Sequence, residues 1–80
     1  MGKSTGLITN NIRALRFHCG EMTQQELADQ VGVTRQTVNA IEGNKYSPSL
    51  EVAFRIARVL DVPLERTFQY REEVRAELLP

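Results

Sequence analysis

At 80 residues, 41% of them hydrophobic and 25% charged, the chain has material for one globular domain and not for two. That composition excludes a disordered chain, and no apolar stretch approaches the roughly 20 residues a membrane span requires. The net charge is zero, yet residues 1–58 hold seven basic and five acidic side chains against three and five in residues 59–80. A front at +2 and a back at −2 permits binding to a polyanion without requiring it.

Residues 1–6 are small and polar, a disordered start by composition. No secretory apolar segment follows Met1, and Gly6 stands where a myristoylation signal needs Ser or Thr. A cytoplasmic location with no membrane partner is the expectation. Leu7, Ile8 and Thr9 form a short apolar, β-branched run suited to a brief strand. Asn10 or Asn11 can cap a first helix with Ile12 and Leu15 inward, and Gly20 ends it in a left-handed conformation. His18 and Cys19 are the single histidine and the single cysteine. Both fall on this helix with no third group in view, so neither a catalytic site, nor a metal, nor a cofactor is expected.

The next start signal is stronger. Thr23-Gln24-Gln25-Glu26 is a capping box, followed by Leu27, Ala28 and Val31 at helical spacing and by Gly32 as a stop. Thr34 caps a third helix in which Val38 and Ile41 face inward, and Gly43-Asn44 closes it. Ser49 caps a fourth helix of about three turns. Its apolar stripe is Leu50, Ala53, Phe54, Ala57 and Leu60, broadened by Ile56, with Glu51, Arg55 and Arg58 toward water. Asp61-Val62-Pro63 breaks that helix, and Pro63 as a first helical residue starts a short fifth one through Thr67. Phe68-Gln69-Tyr70 alternates as a short strand does. Residues 71–80 form a charged tail, frayed or disordered.

Gln24 to Ile41 meets the demands of two helices crossing steeply through a short turn. Ala28 is small where the second helix presses on the first, and Gly32, four positions on, tolerates positive φ. Leu27, Val31, Val33, Val38 and Ile41 are apolar on either side of the turn. The opposite face of the later helix carries Arg35, Gln36 and Asn39, with Thr34 at its start and Ala40 beside them. Arg can bond guanine in bidentate fashion, Gln and Asn can do so for adenine, and a Thr methyl or Ala can touch the thymine methyl. A face built only for solubility more often carries Glu and Lys pairs. Gln24 lies at the start of the preceding helix, where main-chain amides and its side chain can meet a phosphate. Asn44, Lys45 and Tyr46 offer donors to the flanking DNA backbone, or form an ordinary solvated loop. Thr23 and Thr37 are secondary phosphate candidates, the first occupied with capping and the second suited to the helix crossing.

The chain resembles the Cro/CI-type, or XRE-like, helix-turn-helix regulators. The resemblance rests on Ile12-Arg13-Ala14-Leu15-Arg16, Met22-Thr23-Gln24-Gln25-Glu26-Leu27-Ala28, Val31-Gly32-Val33-Thr34-Arg35-Gln36-Thr37-Val38, Ile41-Glu42, Tyr46-Ser47-Pro48-Ser49-Leu50 and Ile56-Ala57. It covers roughly residues 10–70, and Pro63 to Phe68 is similar to the small single-domain subgroup. The family implies an all-α, five-helix bundle of the lambda-repressor-like type that binds double-stranded DNA as a homodimer at near-palindromic operators. Its base-reading positions match Arg35, Gln36 and Asn39, its phosphate-binding amide matches Gln24, and its post-helix loop matches Asn44 and Lys45. It pairs an Arg of the first helix with a Glu near the end of the third, here Arg16 and Glu42, read as a structural pair with a DNA contact by Arg16 as the alternative. In similar small regulators a two-stranded antiparallel sheet extends the bundle, here residues 7–9 with 68–70. Gly20-Glu21-Met22 is one residue longer than the family's usual turn.

The expected function is therefore a DNA-binding transcriptional regulator, a repressor acting as a homodimer, and not an enzyme. Leu64, Phe68, Tyr70 and Val74 are the candidate dimer surface, or else they complete the core. The alternatives are an antitoxin-type regulator whose acidic tail binds a second protein, and a restriction–modification controller protein of similar size.

Overall fold

Hydroxyl side chains start three of the helices in the computed structural model, which describes residues 7–71. In chain order the elements are β1 (Ile8–Asn10), α1 (Ile12–His18), α2 (Gln24–Val31), α3 (Arg35–Glu42), α4 (Leu50–Leu60), α5 (Leu64–Thr67) and β2 (Phe68–Tyr70). Both halves of the capping box are formed: Glu26 N donates to Thr23 Oγ1 at 3.0 Å, and Thr23 N donates to Glu26 Oε1 at 2.9 Å. Thr34 accepts from Thr37 N at 3.1 Å and Ser49 from Val52 N at 3.2 Å. Each such cap contributes about 1 kcal/mol. At α1 the work is shared differently. Asn11 occupies the cap position without a side-chain bond, and Asn10 Oδ1 accepts from Ile12 N at 3.1 Å.

The helix ends show where local chemistry was readable. Gly32 closes α2 at φ 93°, its amide donating to Ala28 O. Asp61 closes α4 at φ 61°, using the tolerance of a short polar side chain for the left-handed region. After α3 it is Asn44, at φ 59°, and not Gly43 that turns left-handed. The longer turn after α1 is absorbed by two successive left-handed residues, Gly20 and Glu21, while Met22 N bonds back to Arg16 O. Pro63 sits one residue outside α5, as its cap, because its ψ of 158° is extended.

Ile12, Leu15, Leu27, Ala28, Val31, Val38, Ile41, Ile56 and Leu60 make one contiguous core, with Val33 packed against it. Complete burial of Leu27, Ile41 or Ile56 contributes about 1.5–3 kcal/mol each. Ala28 is fully buried on α2, which packs against both α3 and α4. The expected stripe of α4 is rotated. Ala53, Ile56, Ala57 and Leu60 are buried, whereas Leu50 is 67% and Phe54 51% exposed. Apolar residues lie nearly all round this helix, and small Ala53 and Ala57 beside Ile56 allow the closest approach, so that face turns inward.

β1 and β2 pair antiparallel, with Ile8 opposite Tyr70, Thr9 opposite Gln69 and Asn10 opposite Phe68. The first strand thus lies one residue later than expected, at 8–10 instead of 7–9, because Asn10 stays extended opposite Phe68 before α1 begins. Arg71 N to Leu7 O and Asn11 N to Thr67 O bracket the ladder. A two-stranded ribbon is marginal alone, and Phe68 anchors this one by packing on the core. The bundle of five helices with this small sheet is the expected architecture. Among the described residues no helix is long and apolar enough to cross a membrane. The expectations for residues 1–6, for Val74 and for the rest of the tail from 72 onward lie outside the described residues.

Candidate nucleic-acid interface

Burial of Val38 and Ile41 fixes the rotation of α3 about its axis and thereby decides what faces out. Arg35, Gln36 and Asn39 are exposed and Ala40 is half-buried at the edge of the same face. Among the described residues the side chains of Arg35 and Gln36 make no hydrogen bond, so their donors and acceptors are available to a ligand. Thr34 is exposed, with its hydroxyl 2.9 Å from that of Thr37, and both are tied into the helix start.

Asn39 differs from its neighbours. Its Oδ1 accepts from Gln24 Nε2 at 3.2 Å, and the same Nε2 donates to Glu42 Oε1 at 3.0 Å. Glu42 in turn accepts from Arg16, through Nε at 2.6 Å and Nη2 at 3.2 Å. Arg16 Nη1 donates to Met22 O at 2.7 Å. The Arg16 and Glu42 side chains are only 10% and 9% exposed. The sequence-expected pair thus locks α1 to the end of α3 and also reaches Gln24 on α2. Both hydrogens of the Gln24 amide are committed within the protein. A phosphate accepts and does not donate, so the Gln24 side chain has nothing left to give it. The main-chain amide of Gln24, in the first turn of α2, has no acceptor within its own helix.

The loop after α3 is held by a second amide chain. Asn10 Nδ2 donates to Ile41 O at 2.9 Å and to Asn44 Oδ1 at 3.0 Å, which leaves the Asn44 amino group turned outward. Lys45 is exposed, and its side chain makes no hydrogen bond among the described residues. Tyr46 is exposed beside it. Thr23 keeps its hydroxyl in the capping box. Arg13 and Phe17, which the sequence reading did not single out, line the same cleft as Arg16, Gln24, Asn39 and Glu42. Arg13 lies three residues before Arg16 on α1, a spacing that puts both on one face and offered a signal for it. Arg55, expected only to face water, also donates from Nη1 to Val31 O at 3.1 Å and supports the end of α2 behind Gly32. Cys19 Sγ donates to Leu60 O.

Apolar side chains gather elsewhere. Leu64 and Phe68 are half-buried, Tyr70 is exposed, and Ile8, Pro48 and Leu50 share a shallow groove with Leu64 and Phe68. Tyr70 continues that surface past Ile8. Part of the Phe68 surface completes the core, as one of the two sequence readings had it, and the remainder faces this groove.

Comparison with known proteins gives a consistent result. A family model described as helix-turn-helix matches residues 20–66. An uncharacterized HTH-type transcriptional regulator of Methanothermobacter thermautotrophicus is 64% identical over 49 residues, which span 61% of this chain and 70% of that protein. The uncharacterized HTH-type transcriptional regulator YgzD of Bacillus subtilis is 42% identical over 64 residues, 80% of this chain and 96% of that protein. A crystal structure of a candidate DNA-binding protein from Bacteroides fragilis superimposes with TM-score 0.70 at 25% identity, covering 79% of this chain and all of that one. The hypothetical transcription factor NHTF from Neisseria superimposes with TM-score 0.68 at 29% identity, over 85% of this chain and 74% of its own.

Proposed function

The chain belongs to the XRE-type helix-turn-helix family and is a transcriptional regulator with a helix-turn-helix DNA-binding domain, and from that premise we propose that it is a repressor acting as a homodimer on a near-palindromic operator. The observation that carries the proposal is the outward face of α3. Arg35 and Gln36 stand exposed and unpaired among the described residues on a helix fixed by the Thr34 cap and a buried face. Such side chains read base edges in the major groove. The first-turn amide of Gln24, the outward amino group of Asn44 and the ammonium of Lys45 flank this helix and suit phosphates, which set register without reading sequence. Thr23, Thr37 and Tyr46 lie on the margins of that footprint.

One α3 offers few base contacts, and each good one discriminates by about 1–3 kcal/mol. A second copy doubles the number and places two reading helices about 34 Å apart, one turn of DNA. The groove bounded by Ile8, Leu50, Leu64 and Phe68, continued by Tyr70, supports a self-association surface. A dimer seated on both half-sites of an operator that overlaps a promoter blocks polymerase by occupancy, which needs no further chemistry.

Selection of bound duplexes from a random pool tests the proposal. The expected product is a pair of inverted half-sites with centres about one helical turn apart. Recovery of no enriched sequence would overturn sequence-specific repression, and a single unrepeated half-site would overturn the dimer.

A further inference from the structure

Resting on that reading of α3, we infer that Gln24 is a positioning residue that fixes which end of the Asn39 amide meets DNA, so that Asn39 reads as a hydrogen-bond donor. An asparagine amide has a donor end and an acceptor end, and an exposed one flips between them at little cost. Here the flip is decided by a chain of groups that begins with a guanidinium, which can only donate. Arg16 Nε and Nη2 donate to the two oxygens of Glu42. A carboxylate paired in this way only accepts, so the end of Gln24 that meets Glu42 Oε1 at 3.0 Å must be its amino group. That amino group also lies 3.2 Å from Asn39, so the end of Asn39 turned toward it must be the oxygen. Nδ2 is then the end presented to solvent on the exposed face of α3.

The polarity is thus set from a nearly buried charge and carried through two amides to the surface. The consequence is chemical. A fork on adenine needs Oδ1 and Nδ2 together on one base edge, and in this arrangement Oδ1 is drawn back toward α2. A lone donor selects an acceptor in the major groove: purine N7, guanine O6 or thymine O4. It does not select the amino groups of adenine or cytosine. Asn44 is oriented by the same logic, since Ile12 N and Ile41 O fix the Asn10 amide and Asn10 Nδ2 meets Asn44 Oδ1.

The test uses the full chain and the duplex selected from the random pool. The base pair facing Asn39 is the one whose preference disappears in Asn39→Ala. In the wild type, removing a base amino group at that pair should leave affinity within about twofold, whereas removing the acceptor should weaken binding about tenfold. Gln24→Met keeps length and apolar bulk and cannot donate. It should make affinity depend on a base amino group at that pair, as it does not in the wild type, while preferences at the pairs facing Arg35 and Gln36 stay unchanged, which a general loss of stability would not produce. An unchanged preference in Gln24→Met overturns the inference, as does wild-type dependence on a base amino group at that pair. If Asn39→Ala alters no preference, Asn39 is not a reader and the inference also falls. Failure of the wild type to select any sequence is a different outcome and falls on the proposed function.

Discussion

Glu42→Ala should cost far more than a surface charge does. The carboxylate accepts from Arg16 Nε at 2.6 Å, from Arg16 Nη2 at 3.2 Å and from Gln24 Nε2 at 3.0 Å. Its removal leaves the Arg16 guanidinium, whose residue is 8% exposed, with Met22 O as its only remaining partner among the described residues. A buried charge stripped of its partner costs about 3–5 kcal/mol. The whole stability of an 80-residue domain is about 4–12 kcal/mol. For a chain of this size about 1 kcal/mol shifts Tm by 4–8 °C, so the variant should melt at least about 12 °C lower. Replacing both partners, Arg16→Met with Glu42→Leu, removes the stranded charge and should recover most of the loss. Thermal melts followed by circular dichroism read both variants. A loss under about 1 kcal/mol in Glu42→Ala, the range of exposed pairs, would refute the reasoning. So would a double variant no more stable than the single one.

Gln36→Ala should weaken operator binding by about 1–3 kcal/mol and relax preference at one base pair, measured by fluorescence anisotropy against operator and mismatched duplexes. Lys45→Ala should weaken all sequences alike and lower the slope of log affinity against log salt by about one; a loss confined to the operator would reassign that lysine to base reading. Leu50→Glu places a carboxylate in the first turn of α4, where the helix dipole favours it. That variant and Tyr70→Glu should each keep the helical circular-dichroism signal and shift sedimentation toward monomer, and persistence of the dimer in both would remove this surface from the account.

Much of the fold was legible because its signals are local. Thr23, Thr34 and Ser49 each sit at a helix start followed by apolar residues at helical spacing, and Gly32 is one of the few residue types that takes φ 93° without strain. What was not legible depends on orientation between elements. Periodicity shows that α4 has an apolar side, yet it did not show that Leu50 and Phe54 fall outside the packed face, because that depends on how Ala53 and Ala57 dock. At the site, the exposure of Arg35 and Gln36 followed from the inward positions of Val38 and Ile41. The amide contacts of Gln24 with Asn39, and of Asn10 with Asn44, join residues far apart in the chain and carry no local pattern. They had to be seen in three dimensions, and they changed the part proposed for Gln24, whose side chain is bonded to Asn39 and Glu42 within the protein, so that only its main-chain amide is proposed to meet phosphate.

The central claim is that α3 and its flanks carry the DNA contact. Titration of the ¹⁵N-labelled protein with the selected duplex, followed by amide chemical shifts, tests it most directly. The largest changes should fall on residues 34–40, with smaller ones at 23–25 and 44–46, and the Leu64–Tyr70 segment should be unaffected by DNA at protein concentrations where the dimer is already formed. Shifts concentrated on Leu50 and Leu64–Tyr70, with residues 34–40 unmoved, would contradict it.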